Sequence, residues 1–564
     1  MSQEGIDRRG GELFQQEGQD GLLHRAFLRG AGHSAEEVRR SPVIGIASTA
    51  SELNPCNQGL SGLARHVKAG ITAAGGLPLE FPTISISEPF SRPTSMVLRN
   101  LLSMDVEEMI NAAPLDGVVL LGGCDKTIPA QMMGAVSANI PALILAAGHR
   151  PVSRYQDNDK FTVDDIWPVC ESRRIGDVDD ASWAELEASA NIGVGTCNVM
   201  GTATTMAVIA EVLGFAPPGS SLPSAASKAR MDIARLTGEQ IVEHVRAQRL
   251  PAARITLESL ENAFRVVAAL GGSTNALIHL EAIAGRAGLR IGFGRFREWS
   301  NTTELLANVR PTGDHLLDEL DRAGGVVEVM RRLGTRIHPT TLTSNGTSWG
   351  EVLAEQPQKS GPAIRDDASA PEANAGLRML RGNLAPEGCV MKLNPGMPTQ
   401  FLGKAIVFDG LDDLHARIDD PALEADENSI LVLRGLGVRG APGMPEVGHI
   451  PIPEQLQRRG VTDLLRISDA RMSGTSTGSV VLHVSPEAAV GGPLAQLNTG
   501  DTLFVDAIAG TIEHRVPAEE FERRPAATPP APAERGYRWL FQQYVTQPHE
   551  GCDFTFLESN GTPK

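Results

Sequence analysis

Residues 122–131 read GGCDKTIPAQ and set a thiol, a carboxylate and an amine side by side (Cys124, Asp125, Lys126), directly after the apolar run DGVVLL. A soft metal ligand and a hard one at the end of a buried strand point to metal chemistry of two kinds. Cys56 in ELNPCNQG and Cys197 in VGTCNVMG share the same Gly-, Pro- or Asn-rich turn setting, whereas Cys170, Cys389 and Cys552 do not share it so clearly. Their spacing fits no zinc finger and no ferredoxin run, so turn placement alone singles out the three. Buried free cysteine is also a common small core residue, which is the plainer reading of any one of them. Three thiolates without a fourth suit an iron-sulfur cluster with one iron left open, and an open iron is a Lewis acid.

Glu88 in SISEPF and Glu446 in GMPEVG are carboxylates in Pro/Gly turns. With Asp125 they make an oxygen-rich set suited to a hard ion such as Mg²⁺. Taken alone, Asp125 and Lys126 also read as a local ion pair, and isolated carboxylates are usually solvated, so geometry decides. RISDARMSGTSTGS (466–479) is dense in hydroxyls and reads as a flexible Ser/Gly turn, with no Ser-His-Asp pattern around it. GGSTNA (271–276) breaks a helical run with a glycine pair, a sign of close backbone approach. None of the 13 histidines falls in an H-E-x-x-H pair.

Such groups need a scaffold. Residues 42–330 alternate β-branched runs (PVIGIAST, DGVVLLGG, IPALILAAG) with helical stretches (GLARHVKAGITAAGG, AQMMGAVSAN), the pattern of βαβ units and a mostly parallel sheet. Open sheets of this kind hold ligands at the carboxyl ends of their strands, where Asp125 and Lys126 fall. The helical pattern continues over 261–288. After QPQKSGPAIRDDASAPEANAG (356–376) the texture changes to short strands split by Gly and Pro, among them GKAIVFDG, NSILVLRGLG and DTLFVDAIAGTIEHRV. The expected division is an α/β domain over 1–375 and a β-rich domain over 376–564, ending in a Pro/Ala stretch (523–536) and an aromatic tail, YRWLFQQYV.

A chain of 564 residues, 41% hydrophobic, exceeds what one core usually serves. Acidic residues outnumber basic ones 68 to 51, for a net charge of −17, and no Lys/Arg stripe tracks phosphates, so no nucleic-acid partner is expected. That field repels an anionic substrate, so an acid would need a local cation to hold it. The N-terminal stretch lacks the apolar segment of a signal peptide, and runs such as IPALILAAG are too short to span a bilayer, so a cytoplasmic protein with no membrane partner is expected. Six cysteines in a chain this long form no disulfide framework.

NPCNQG, GGCDKTIPAQMMGA, GTCNVMGTATTMA, GGSTNALIHL, GNLAPEGCVMK, KAIVFDG, GAPGMPEVG and SDARMSGTSTGSVVLHVSPEAAVGGPLA, in order between about residues 42 and 515, together resemble the family of dihydroxy-acid and sugar-acid dehydratases. The resemblance implies an α/β domain carrying an iron-sulfur cluster, a C-terminal β-barrel domain that closes over it, and a homodimer or homotetramer. By position, Cys56, Cys124 and Cys197 match the cluster ligands. Glu88, Asp125 and Glu446 match the Mg²⁺ ligands, Lys126 matches a lysine that is carbamylated, and Ser473 matches the proposed base. Three cysteines serve 2Fe-2S and 4Fe-4S clusters alike; 2Fe-2S is favoured. In the implied reaction, Mg²⁺ holds the substrate carboxylate and 2-hydroxyl, Ser473 removes the C2 proton, and the 3-hydroxyl leaves at iron, giving a 2-keto-3-deoxy acid without redox change.

SELNPCNQG, FPTISISEPFSRPTSM and YVTQPHEGCDF resemble the sugar-acid branch, so an aldonate, and among aldonates a pentonate such as arabinonate or xylonate, is the expected substrate. The alternative is a dihydroxy-acid dehydratase of branched-chain amino-acid synthesis. Two departures stand out: AGHRPVSRY replaces the usual Gly-Gly-Pro-Met turn and brings His149 and Arg150 toward the expected substrate region, and the usual Asp-Gly-Arg is Asp469-Ala470-Arg471. A cluster-based redox sensor would not need Glu88, Lys126, Glu446 or Ser473. A magnesium-only enolase-type enzyme would need no thiols and would show a (β/α)₈ repeat.

Overall fold

VIGIAS, GVVLLG and ALILA are buried at every residue, as strands of a parallel sheet covered on both faces must be. In the computed structural model, which describes residues 9–365, 376–476 and 478–558, they form β1 (Val43–Ser48), β3 (Gly117–Gly122) and β4 (Ala142–Ala146). With the more exposed edge strand β2 (Leu77–Pro82) they make a four-stranded, wholly parallel sheet in the order β2-β1-β3-β4.

The first crossover helix, Leu60–Ala73, buries Leu60, Leu63, Ala64, Val67 and Ile71, a three-and-four spacing that faces one side to the sheet. Its outer side crosses the helix Lys228–Arg246 at two glycines. A Cβ on Gly70 would meet Arg235 O at 2.0 Å and one on Gly238 would meet Val67 O at 2.2 Å, so only glycine permits this approach.

Strand alternation stops earlier than the expected residue 330. After β4 comes a short hairpin, β5 (Ser153–Tyr155) and β6 (Asn158–Phe161), and from Ile166 to Glu355 the regular elements described are helices. Short apolar runs there belong to buried helices, which periodicity alone does not separate from buried strands. The run over 261–288 is two helices, Leu257–Ala269 and Asn275–Arg286, parted at the glycine pair.

The second half forms a closed eight-stranded barrel from β7 (Gly376–Gly382), β8 (Ala385–Leu393), β9 (Gln400–Asp409), β10 (Ile430–Arg434), β11 (Arg466–Ser468), β12 (Val480–Ser485), β13 (Thr502–Asp506) and β14 (Thr511–His514). Around it the order is β10-β11-β12-β8-β7-β14-β13-β9. Leu503, Val505 and Ile512 alternate with more exposed neighbours and point into a core shared with Val407, Val432, Ile467 and Val481. Strands β9 to β12 run parallel to one another, so the carboxyl ends of β10 and β11 open on the same rim. Residues 366–375, within the polar stretch read at 356–376, lie outside the described residues.

The aromatic tail is not a free extension of the barrel. YRWLFQQY lies within a helix, Gly536–Tyr544, that returns to the first half: Tyr537 Oη accepts from Leu101 N at 3.0 Å, and Arg286 Nε donates to Asp553 at 2.6 Å. Arg99 donates to the carbonyls of Gly551 and Cys552 at 2.9 and 2.8 Å. Among the described residues, no helix is long and apolar enough to cross a membrane.

Candidate active site

The carboxyl ends of all four parallel strands open on one place. The loop after β1 carries Cys56, that after β2 carries Glu88, that after β3 carries Cys124, Asp125 and Lys126, and that after β4 carries His149 and Arg150. Cys197 lies between the helices Asp180–Ser189 and Thr202–Val212, and its neighbour Thr196 bridges to His149. From the barrel, the loop after β10 brings Glu446 and the loop after β11 brings Ser473.

The thiol group is assembled through the backbone. Cys124 N donates to Asn57 Oδ1 at 3.0 Å, while Asn57 Nδ2 donates to Thr49 Oγ1 at 3.0 Å, which pins the NPCNQG turn to the end of β3. Gly123 is glycine because a Cβ there would meet Ala147 Cβ and Cys56 O, each at 2.8 Å. Hydrogen bonding to Cys124, burial, and the neighbouring Cys124 and Cys197 push the Cys56 thiol well up. Burial, then Asp125, push Cys197 up to about 12. All three are free thiols.

Beside them, the buried Lys126 ammonium lies 2.7 Å from Glu446 Oε1, 3.3 Å from Glu88 Oε2 and 3.4 Å from Asp125 Oδ2. Burial and Arg471 oppose the charge on Lys126, but the three carboxylates outweigh them and hold its pKa above the ordinary lysine value. Burial alone would raise Glu88; Lys126, Arg471 and the Ser95 and Thr94 hydroxyls reverse this and hold it at about 2. Thr94 Oγ1 donates to Glu88 Oε1 at 2.7 Å, and the Ser95 hydroxyl and amide both donate to Oε2. Burial raises Glu446 even though Lys126, Arg471 and Asn275 all donate to its Oε1.

Ser473 Oγ accepts from Thr475 N at 3.3 Å and pairs with Thr475 Oγ1 at 2.8 Å; Thr475 Oγ1 in turn accepts from Trp167 Nε1 at 2.9 Å. Trp167, on the helix Ile166–Arg174, thus fastens the serine loop to the first half. A cleft of about 600 Å³ runs alongside, lined by Trp167, Arg310, His449, Arg466 and Gly478.

The structure therefore brings Glu88, Asp125, Lys126 and Glu446 together and groups Cys56, Cys124 and Cys197 beside them. Several partners escaped the sequence reading. Asn275, whose GGSTNA motif signalled only a close approach, donates to Glu446 at 2.9 Å. Arg471 is wholly buried and bridges Glu446 and Thr94 at 2.7 and 3.0 Å. The His149 Nδ1 lies 2.9 Å from Arg150 O and its Nε2 3.3 Å from Asp318 Oδ1.

Among the described residues, no three Cys, His, Asp or Glu side chains stand ready to hold a metal ion; the carboxylates are gathered on the Lys126 ammonium instead. The donor chemistry nonetheless fits both expected groups. Three unpaired thiols are close enough to act on one another's charge, and three carboxylates share one cation. Asn54 Oδ1, Ser87 Oγ, Thr127 Oγ1 and Asn275 Oδ1, all on loops or helix starts of this site, are buried with no hydrogen-bond partner among the described residues, as expected of a site made for a polar guest.

Residues 41–352 match the dihydroxy-acid/6-phosphogluconate dehydratase N-terminal family and residues 363–552 match its C-terminal counterpart. A 6-deoxy-6-sulfo-D-gluconate dehydratase of Pseudomonas putida is 42% identical, with 95% of this chain and 94% of the relative covered. An L-arabinonate dehydratase of Rhizobium leguminosarum bv. trifolii is 40% identical over 96% and 94% of the two chains. A dihydroxy-acid dehydratase of Chloroflexus aggregans is 35% identical over 92% of each. Fold and relatives define an enzyme of the hydro-lyase class, a dehydratase. The chain belongs to the dihydroxy-acid/6-phosphogluconate dehydratase family.

Proposed function

We propose that this enzyme dehydrates a sugar acid, an aldonate and specifically a pentonate such as arabinonate or xylonate, to its 2-keto-3-deoxy acid. The observation that carries the reading is the gathering of Glu88, Asp125 and Glu446 about Lys126, beside three free thiols. A redox sensor would have no use for these carboxylates. The sugar-acid branch is supported by the two sugar-acid dehydratases at 42% and 40% identity, against 35% for the dihydroxy-acid dehydratase.

On this reading Cys56, Cys124 and Cys197 would hold an iron-sulfur cluster, with 2Fe-2S favoured, and Glu88, Asp125, Glu446 and a carbamylated Lys126 would hold Mg²⁺. When bound, the two groups supply Lewis acidity to the substrate's carboxylate, 2-hydroxyl and departing 3-hydroxyl. Carbamylation of Lys126 requires its ammonium to lose one proton; the free amine nitrogen then bonds to the carbon of carbon dioxide and releases a second, so an anionic oxygen ligand replaces the ammonium. Glu446, Glu88 and Asp125 favour the ammonium until a stronger cation takes their charge, which couples the modification to metal binding.

Ser473 Oγ acts as the base toward the C2 proton. Thr475 Oγ1 accepts from Trp167, so its own hydrogen is free to point at Ser473 Oγ, and the Thr475 amide adds a second donor. Both bonds stabilise negative charge on that oxygen. The reading extends, on the family resemblance, to a cytoplasmic homodimer or homotetramer without nucleic-acid or membrane partners.

The test is product identity. Anaerobically purified enzyme with Mg²⁺ and a pentonate in D₂O should yield a 2-keto-3-deoxy acid carrying one solvent deuterium at C3, read by NMR. Unchanged substrate for every pentonate tried would sink the reading.

A further inference from the structure

Arg150 follows β4 and is held in a fixed pose between two cysteine loops. Its Nη2 donates to Cys56 Sγ at 3.9 Å and to Gly195 O at 3.0 Å, its Nε donates to Thr196 O at 3.2 Å, and its Nη1 donates to Asn191 Oδ1 at 2.5 Å. Its own amide also donates to Thr196 O, at 2.9 Å. Four of the five guanidinium N–H groups are thereby directed at protein atoms. Arginine's planar fork suits this task, since it reaches one sulfur and three oxygens without rotating. The side chain faces the Cys56 thiol.

We propose that Arg150 is a positioning residue for the iron-sulfur group, one that withdraws charge from the Cys56 thiolate, raises the reduction potential of the bound cluster and strengthens its Lewis acidity. The proposal rests on the cluster assignment above. Hydrogen bonds and positive charge at a ligand sulfur stabilise the more negative, reduced state, which gives the direction of the effect.

The experiment is a reductive titration of anaerobically reconstituted wild type, Arg150→Gln and Arg150→Lys, followed by visible absorbance and electron paramagnetic resonance, with iron content and pentonate KM measured alongside. The proposal predicts a midpoint shifted to more negative potential in Arg150→Gln, a smaller shift in the same direction in Arg150→Lys, and a lower kcat with little change in KM. An unshifted midpoint with a raised KM would overturn it and make Arg150 a substrate-binding residue. If Arg150→Gln holds no iron, Arg150→Lys decides: a negative shift supports the proposal and an unshifted midpoint overturns it. Loss of iron from both variants would also overturn it, leaving Arg150 as a clamp between loops. A wild type that holds no iron after reconstitution would instead refute the cluster assignment itself.

Discussion

Lys126 Nζ lies 2.7 Å from Glu446 Oε1 although 320 residues separate them. One stands at the end of β3 in the parallel sheet and the other in a loop on the barrel rim, so the carboxylate site exists only when the two halves are folded against each other. Glu446→Gln keeps the shape but leaves the buried Lys126 and Arg471 short of one negative charge. We expect 2-keto acid formation to fall at least about 100-fold and urea unfolding to show a loss of about 3 kcal/mol, the scale set by breaking a buried ion pair from one side. Near-normal activity would remove Glu446 from the site.

Cys124→Ser and Ser473→Ala separate the two chemistries. The first should lose iron, cluster absorbance and activity together. The second should keep iron and absorbance while activity falls by about 10²-fold or more, the usual cost of losing a general base. An active Ser473→Ala enzyme would take serine out of the mechanism.

Trp167 is linked to Ser473 through Thr475. Trp167→Phe preserves most of the ring's bulk and removes the N–H that Thr475 Oγ1 accepts. Losing one such bond is worth about 1 kcal/mol, so kcat should drop roughly fivefold with iron content unchanged. Unaltered kcat would mean that the serine loop holds itself.

How much of this was legible in advance depended on range. The end of β3 was legible because a wholly apolar run followed by Gly-Gly-Cys-Asp-Lys is a local signal, and the barrel texture was legible in short Gly/Pro-split strands. Arg471 and Thr94 were not, because their meeting over Glu446 and Glu88 joins segments remote in the chain. The packing of the tail was hidden for the same reason. Nothing in YRWLFQQYV announces that Tyr537 caps the amide of Leu101 or that Asp553 will pair with Arg286. Family resemblance supplied the roles of Ser473 and Lys126, which composition and spacing alone left open.

His244 gives a pH prediction away from the site. Its Nδ1 accepts from Arg254 Nη2 at 3.1 Å and its Nε2–H donates to Ser344 O, which fixes a neutral ring. Burial, with Arg254, lowers its pKa from 6.5 to about 3. The folded value lies below the unfolded one, so the stabilisation is complete above about pH 6.5 and is lost as pH falls toward 3. The urea midpoint should drop between about pH 7 and 4.5, and His244→Gln should flatten that drop by about 2–3 kcal/mol. An identical slope in the variant would contradict the assignment.

On the proposed function this dehydratase acts on sugar acids. The most direct test is the rate of 2-keto acid formation by anaerobic, Mg²⁺-supplied enzyme on a panel of pentonates and hexonates, set against 2,3-dihydroxyisovalerate at equal concentration. We expect fastest turnover of a pentonate, abolished by EDTA and restored by Mg²⁺. A preference for dihydroxyisovalerate would contradict the sugar-acid assignment and move the enzyme to branched-chain amino-acid synthesis.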